Sequence, residues 1–161
     1  MGREFWFDVF PAVDLDNDDE VRKFYNSFCV SCFDHWLSES EAASCDFICR
    51  ETARSRGGMD AFLLATRKLS SFFESIYLSN DVFAFDEQES PLGQKRYSQL
   101  IDSLVSEKKQ KSLFYKRYGL FLLPGYDLTH VLLFVKGFDQ EEIIRMIQKA
   151  GLHTLKINYA S

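Results

Sequence analysis

The chain lacks the short motifs on which most enzyme assignments rest. It contains no glycine-rich phosphate loop, no G-x-S-x-G elbow and no H-E-x-x-H pair. Phosphate-loop, serine-hydrolase and zincin chemistry in their usual forms are therefore excluded. Histidine is scarce, with three in 161 residues, and neither His130 nor His153 sits in a motif. No stretch approaches the roughly eighteen uncharged apolar residues of a membrane helix, and no low-complexity run suggests a disordered tract. The start has no apolar core followed by a small-residue cleavage site, so the expected location is the cytoplasm, where thiols usually stay reduced. Met1-Gly2 is not a myristoylation signal, because Trp6 stands where Ser or Thr is required.

What is abundant is aromatic side chain: sixteen Phe, seven Tyr and two Trp. Such a surplus supplies a bulky core or an interface rich in anchors. Charge is unevenly spread. Residues 1–90 carry 18 acidic and 8 basic side chains, and 91–161 carry 6 and 11, so the net −5 divides into −10 and +5. An acidic first half fits a basic partner.

Local patterns predict a single α+β domain over 1–161, with a four-helix N-terminal and central layer packed on a small, mostly antiparallel sheet and a ββαβ ending. Glu4 to Phe10 reads as a strand ending at Pro11. Asp14, Asp16 and Asp18 imitate a calcium loop, but Asp19 replaces the required Gly and Tyr25 the required Glu, so these carboxylates are read as complementing a helix N-terminus. The helix is expected from Asp18 to Leu37, with Val21, Phe24, Tyr25, Phe28, Cys32 and Trp36 at three- and four-residue intervals. Ser38-x-x-Glu41 is a capping box that opens a second helix, stopped at Gly57-Gly58. Arg54 and Arg56 beside those glycines suggest an anion site, but a helix stop followed by a helix start explains them more simply. A third helix, Asp60 to Leu78, presents Phe62, Leu69, Phe72, Phe73 and Ile76.

Val82 to Phe85 is a short strand or link, and Ser90-Pro91 starts a helix through Tyr97, Leu100, Ile101, Leu104 and Val105. Apolar runs at Tyr115 to Leu123 and Leu128 to Val135, joined through Pro124-Gly125, predict a central hairpin. Asp139-x-x-Glu142 caps a helix bearing Ile143, Ile144, Met146, Ile147 and Ala150, stopped by Gly151, and a strand from Leu152 to Tyr159 follows.

One stretch concentrates specialised side chains: Cys29, Cys32, His35, Cys45 and Cys49. Two cysteine pairs at C-x2-C and C-x3-C spacing on facing helices suit tetrahedral zinc, or a redox or nucleophilic site using His35 as base. Yet FCVSCF has no Gly or Pro to turn the backbone around a metal, and Cys32 lies inside the apolar arc of the expected helix. Buried core thiols and a core histidine are the preferred reading, with no cofactor, and zinc is the alternative.

The leading functional expectation is a non-catalytic interaction module, an inhibitor or an immunity or antitoxin-type protein. It would hold a basic toxin or enzyme through Asp14, Asp16, Asp18, Asp19, Glu20, Glu39, Glu41 and Asp46. A metal or redox protein built on the cysteines ranks second. A nucleic-acid binder using Lys108, Lys109, Lys111, Lys116 and Arg117 with Phe114, Tyr115 and Tyr118 ranks third, since the basic residues also suit a helix C-terminus and the chain as a whole is acidic. No membrane partner is expected.

Overall fold

The computed structural model describes residues 14–85 and 90–157, and it is a mixed α+β fold with six helices and six strands among those residues. The strand expected at 4–10 and the last residues of the final strand lie outside them. The first described element already departs from expectation. Helix α1 (Asp18–Phe24) is capped by Asn17, whose side chain accepts from the backbone of Asp19 and Glu20, but it ends at Tyr25 in extended backbone. The chain then continues as strand β1 (Tyr25–Ser31). Phe28, Val30 and Cys32 fit a period of two as well as they fit a helix, and tertiary pairing decides between the two readings. β1 is hydrogen-bonded on both sides, to β5 (Thr129–Val135) and to β6 (His153–Lys156).

The expected second helix is also divided. The Ser38/Glu41 capping box forms as read, but α2 spans only Glu39–Ser44, and α3 (Arg50–Arg56) begins after a five-residue break. The break lets Phe47 stack on Phe33 with centroids 5.8 Å apart. It also presses the Asp46 carbonyl onto Gly58, where a Cβ would lie 2.2 Å from that oxygen. Gly57, at φ +80°, ends α3 as expected. Helix α4 (Met59–Ser75) follows its predicted pattern, with Phe62, Leu69, Phe72 and Phe73 buried and Ile76 buried just beyond its end.

β2 (Val82–Ala84) matches its short apolar run. Helix α5 (Gln94–Val105) starts with Gly93 as N-cap, three residues later than Ser90-Pro91 suggested, and buries Tyr97, Ile101, Leu104 and Val105. The apolar run at 115–123 is not one strand. β3 (Leu113–Tyr115) and β4 (Leu120–Leu123) form a hairpin of their own, turned at Gly119 with φ +53°. β4 pairs with β5 as predicted. Helix α6 (Glu141–Lys149) buries Ile143 and Ile147, and the Asp139 carboxylate accepts from the Glu141 N–H at 2.9 Å.

The strand order is β2-β3-β4-β5-β1-β6, with every described pairing antiparallel. β5 and β6 thus run the same way with β1 between them, so the connection through α6 skips one strand. Both faces are apolar. One packs against buried residues of α3 to α6 in the main core, which includes Phe28, Leu122, Leu132 and Phe134. There Tyr97 donates its hydroxyl to the Phe73 carbonyl at 2.6 Å and meets the Tyr115 hydroxyl at 2.9 Å, so two buried phenols are satisfied. The other face carries the row Phe83, Phe114, Phe121 and Leu133, joined by Tyr25 and by Val21 of α1. Phe114 and Phe121 stack at 4.3 Å.

Leu69 is wholly buried between helix and sheet. Leu69→Ala is expected to cost about 3 kcal/mol in urea unfolding, as truncation of a core leucine leaves a cavity that relaxes only partly.

Candidate functional site

On the second face, at the end of β1, the strand register builds a floor. Cys29 stands opposite Val131 of β5 and opposite Leu155 of β6, so the three side chains form one row across three strands. In the next row Thr129 faces Ser31, and their hydroxyls meet at 2.8 Å. The segment after β1 arches over this floor and contributes Phe33, Leu37, Ala42 and Ile48, enclosing a cleft of about 270 Å³.

Two aromatics border the cleft from opposite directions. Trp36 donates its indole N–H to the Lys156 carbonyl at 2.7 Å, which ties it to β6, and it remains 49% exposed. Tyr126, in the β4–β5 turn on the β5 side, is 71% exposed. β5 and β6 are two strand spacings apart, about 10 Å of backbone separation. Asp127 lies next to Tyr126 in the lining, which contains no lysine or arginine among the described residues.

His35 also lines the cleft. It is not a core histidine: its side chain is exposed and clamped, Nδ1 to Asp34 at 2.6 Å and Nε2 to Glu41 at 3.0 Å. Hydrogen bonding to these carboxylates raises its pKa, and the same bond lowers that of Asp34. Glu41 is drawn down to about 2, first by the Ser38 hydroxyl and backbone of the capping box and then by His35. Two carboxylates surround one imidazole, so the group is net negative even when His35 is protonated.

The turn that carries Tyr126 and Asp127 is held in a costly shape. Asp127 and Leu128 are consecutive non-glycine residues at φ +59° and +56°. Left-handed backbone is disfavoured for such residues by roughly 1–2 kcal/mol each, most clearly for leucine. A Cβ at Gly125 would lie 2.1 Å from the Thr129 carbonyl. Surrounding contacts enforce this shape. The Gly125 N–H donates to His130 Nδ1 at 3.1 Å, Cys32 N–H donates to the Leu128 carbonyl at 3.3 Å, and Leu128 is buried in the main core. His130 is fully buried against the Phe73 ring. Its Nε2 has no hydrogen-bond partner among the described residues, and desolvation lowers its pKa to about 4.

The cysteines do not assemble. Cys29 is buried on a strand and Cys32 follows that strand, while Cys45 ends α2 and Cys49 precedes α3. Among the described residues no group of three His, Cys, Asp or Glu is placed to hold a metal, and the helix-to-helix juxtaposition expected for Cys29, Cys32, Cys45, Cys49 and His35 is not the local structure, because β1 stands where the first helix was expected. The Cys29 thiol is pushed up to about 11 by burial and Cys32 to about 12, where burial outweighs the opposing charge of Lys68. These are protonated thiols at neutral pH, poor as nucleophiles or metal ligands. Cys32 donates instead to the Ala65 carbonyl at 3.6 Å, and Cys49 meets the Thr52 hydroxyl at 3.2 Å.

The acidic residues divide into two groups. Asp14, Asp16, Asp18, Asp19 and Glu20 precede β1, whereas Glu39, Glu41 and Asp46 follow its other end, a strand length of roughly 20 Å apart. The first group spends much of its hydrogen-bonding capacity locally. Asp14 accepts from Asp16 N–H, Glu20 accepts from Asp14 N–H, and Asp19 pairs with Arg22 at 2.8 Å. The second adjoins the cleft. In the basic segment Phe114, Tyr115 and Tyr118 are buried, so they offer no stacking platform for bases. An open cavity of about 760 Å³ beside Phe85 is lined by Arg96, Lys109 and Lys111, but Arg96 and Lys111 are already engaged within the chain.

Trp36, Tyr126 and Asp127 are the residues that sequence reasoning missed. The only available signal for Tyr126 was its position directly after Pro124-Gly125, where a tight turn leaves an aromatic without a core to enter. Comparison with protein-family models, curated proteins and solved structures gives no match, so the functional reading rests on this geometry.

Two outcomes are expected. Alkylation followed by mass spectrometry should modify Cys29 and Cys32 only after denaturant is added. For His130, the unfolded imidazole takes up a proton below about 6.5 while the folded one stays neutral until about 4. Stability is therefore fully present above pH 6.5 and falls as pH drops through that window, by up to about 3 kcal/mol. His130→Asn keeps an acceptor for Gly125 but cannot titrate, and the difference between its urea-stability profile and that of the parent should isolate this fall.

Proposed function

We propose that the chain is a non-catalytic protein-interaction module of the inhibitor, immunity or antitoxin type, acting in the cytoplasm on a basic protein partner through the cleft at the end of β1. The observation that carries this reading is the exposure of Trp36 and Tyr126 on either side of an apolar floor, where most other aromatics among the described residues are buried. Exposed Trp and Tyr next to a pocket are the residue types and the setting in which binding energy concentrates. Glu39, Glu41 and Asp46, together with Asp34 and Asp127, make the surroundings acidic, which favours a cationic partner and speeds its encounter. The Asp14 to Glu20 group adds long-range attraction from the far end of β1 rather than contact at the cleft. The protonated thiols of buried Cys29 and half-buried Cys32, and a clamped surface histidine, give a nucleophilic or redox mechanism no support.

Affinity capture from the native organism tests the reading. The parent chain is expected to retain a basic protein whose binding weakens as salt is raised, because exposed charges are screened. Trp36→Ala with Tyr126→Ala should lower that affinity by at least about tenfold, measured by calorimetry on the recovered partner. Undiminished binding by the double variant, or binding indifferent to salt, would remove the proposal.

A further inference from the structure

The cleft has properties that narrow what enters it. At about 270 Å³ it lies just below the roughly 300–1,000 Å³ range of small-molecule sites, a scale suited to one inserted side chain. Its floor is Cys29, Val131 and Leu155, which can cover an aliphatic stem but offer no strong polar partner. Trp36 and Tyr126 both line it and are exposed. The charged side chains of the lining are Asp127 and His35, the latter clamped between Asp34 and Glu41; Glu107 is close enough to Asp127 to feel its charge, and His153 acts on Asp34. Three neighbouring cations are directed elsewhere: Lys156 is next in sequence to Leu155 and so points to the opposite sheet face, the Arg56 guanidinium donates to the Ala43 carbonyl, and the Arg50 guanidinium donates to the Ser106 carbonyl at 3.4 Å.

A planar cation with an apolar stem satisfies all of these features together. Guanidinium stacks on aromatic faces, is more weakly hydrated than ammonium, and donates two parallel hydrogen bonds to a carboxylate. A lysine head would forgo the stacking and the fork, while a leucine would leave the acidic rim unused. Resting on the interaction reading above, we propose that the cleft receives one arginine side chain of the basic partner, stacked between Trp36 and Tyr126 with its guanidinium on the Asp127 carboxylate. The strained turn at Asp127 and Leu128 presents the tyrosine and the aspartate in place before the partner arrives, so little ordering is left to occur on binding.

The test uses the full chain and capped amino acids as probes. N-acetyl-arginine methylamide is titrated into labelled protein and the Trp36 indole N–H resonance followed by NMR, with capped lysine and capped leucine in parallel. Arginine is expected to shift that resonance saturably, with a Kd of about 1 mM, as a single anchor without its protein provides only a fraction of a full interface. Asp127→Asn should weaken arginine about fivefold, as loss of one partly exposed charge pair. Asparagine also tolerates left-handed backbone, so the turn is preserved, and unchanged Leu128 and Thr129 resonances would verify this. Trp36→Ala, which removes the indole reporter and is therefore followed through the Asp127 backbone amide resonance, should weaken arginine further. Equal binding of capped lysine or capped leucine, no saturable shift with arginine, or an Asp127→Asn variant that binds arginine as the parent does would each overturn the arginine assignment. Such a result would leave the interaction reading intact wherever the captured partner still depends on Trp36 and Tyr126. Loss of that dependence would count against the reading itself.

Discussion

The insertion of β1 between β5 and β6 is the constraint on which the rest of the structure depends. Seven residues pair with β5 along their whole length, and four of them pair with β6. This pairing aligns Val131, Cys29 and Leu155 in one row and so lays the floor of the cleft. It also sends the chain out at Ser31 beside the β4–β5 turn, where the segment that follows can fold back over that floor. Had the helix continued to Leu37, neither the floor nor the arch would exist. The pairing partners lie about a hundred residues further along the chain, so local propensity cannot specify them, and closure of so long a loop carries an entropic cost that only the completed sheet offsets.

Elements with one strong period were legible in the sequence. Helix α4 shows its face through Phe62, Leu69, Phe72 and Phe73 and opens at Gly58, and α6 shows its face through Ile143 and Ile147 and closes just before Gly151. The β4–β5 hairpin was visible in two apolar runs around Pro124-Gly125. Illegible elements failed for a common reason, since the residues concerned satisfy two periods at once. Val21 to Trp36 fits a helical wheel, yet Phe28, Val30 and Cys32 alternate as well. Tyr115 to Leu123 is apolar enough for one strand, and only the left-handed Gly119 reveals that it reverses direction. The helix expected over 38–57 failed differently. Its cap was right, but Phe47 and Ile48 reach apolar surroundings only if the helix breaks before them.

The candidate site was partly legible, and its legible part changed meaning. His35 and Cys29 do meet at one cleft, as a cysteine–histidine grouping suggested. Their surroundings differ from that expectation: the thiol is desolvated and the imidazole has both nitrogens on carboxylates. The capping box, read as a helix start, has a second consequence: it positions Glu41 to grip His35 and so fixes the acidic rim. Trp36, counted in the sequence as one more residue of an apolar arc, is the half-exposed wall of the cleft. Periodicity assigns a face to a residue only when the element is right, and here the element was a strand that ended five residues earlier.

The same physics bears on the recognition role proposed for the cleft. A catalytic centre needs groups whose protonation changes near neutral pH and which face a reacting atom. Burial displaces Cys29, Cys32 and His130 from that range, and the capping box with His35 holds Glu41 well below it. What the fold does hold rigidly is shape. Two left-handed residues, a glycine that admits no Cβ and a buried histidine accepting from the turn all fix where Tyr126 and Asp127 stand. Strain of this kind persists where surrounding packing over-determines it, and its benefit is a surface that loses little entropy on contact. A cleft that is stiff, aromatic-walled and acid-rimmed has the traits that the proposed recognition role requires.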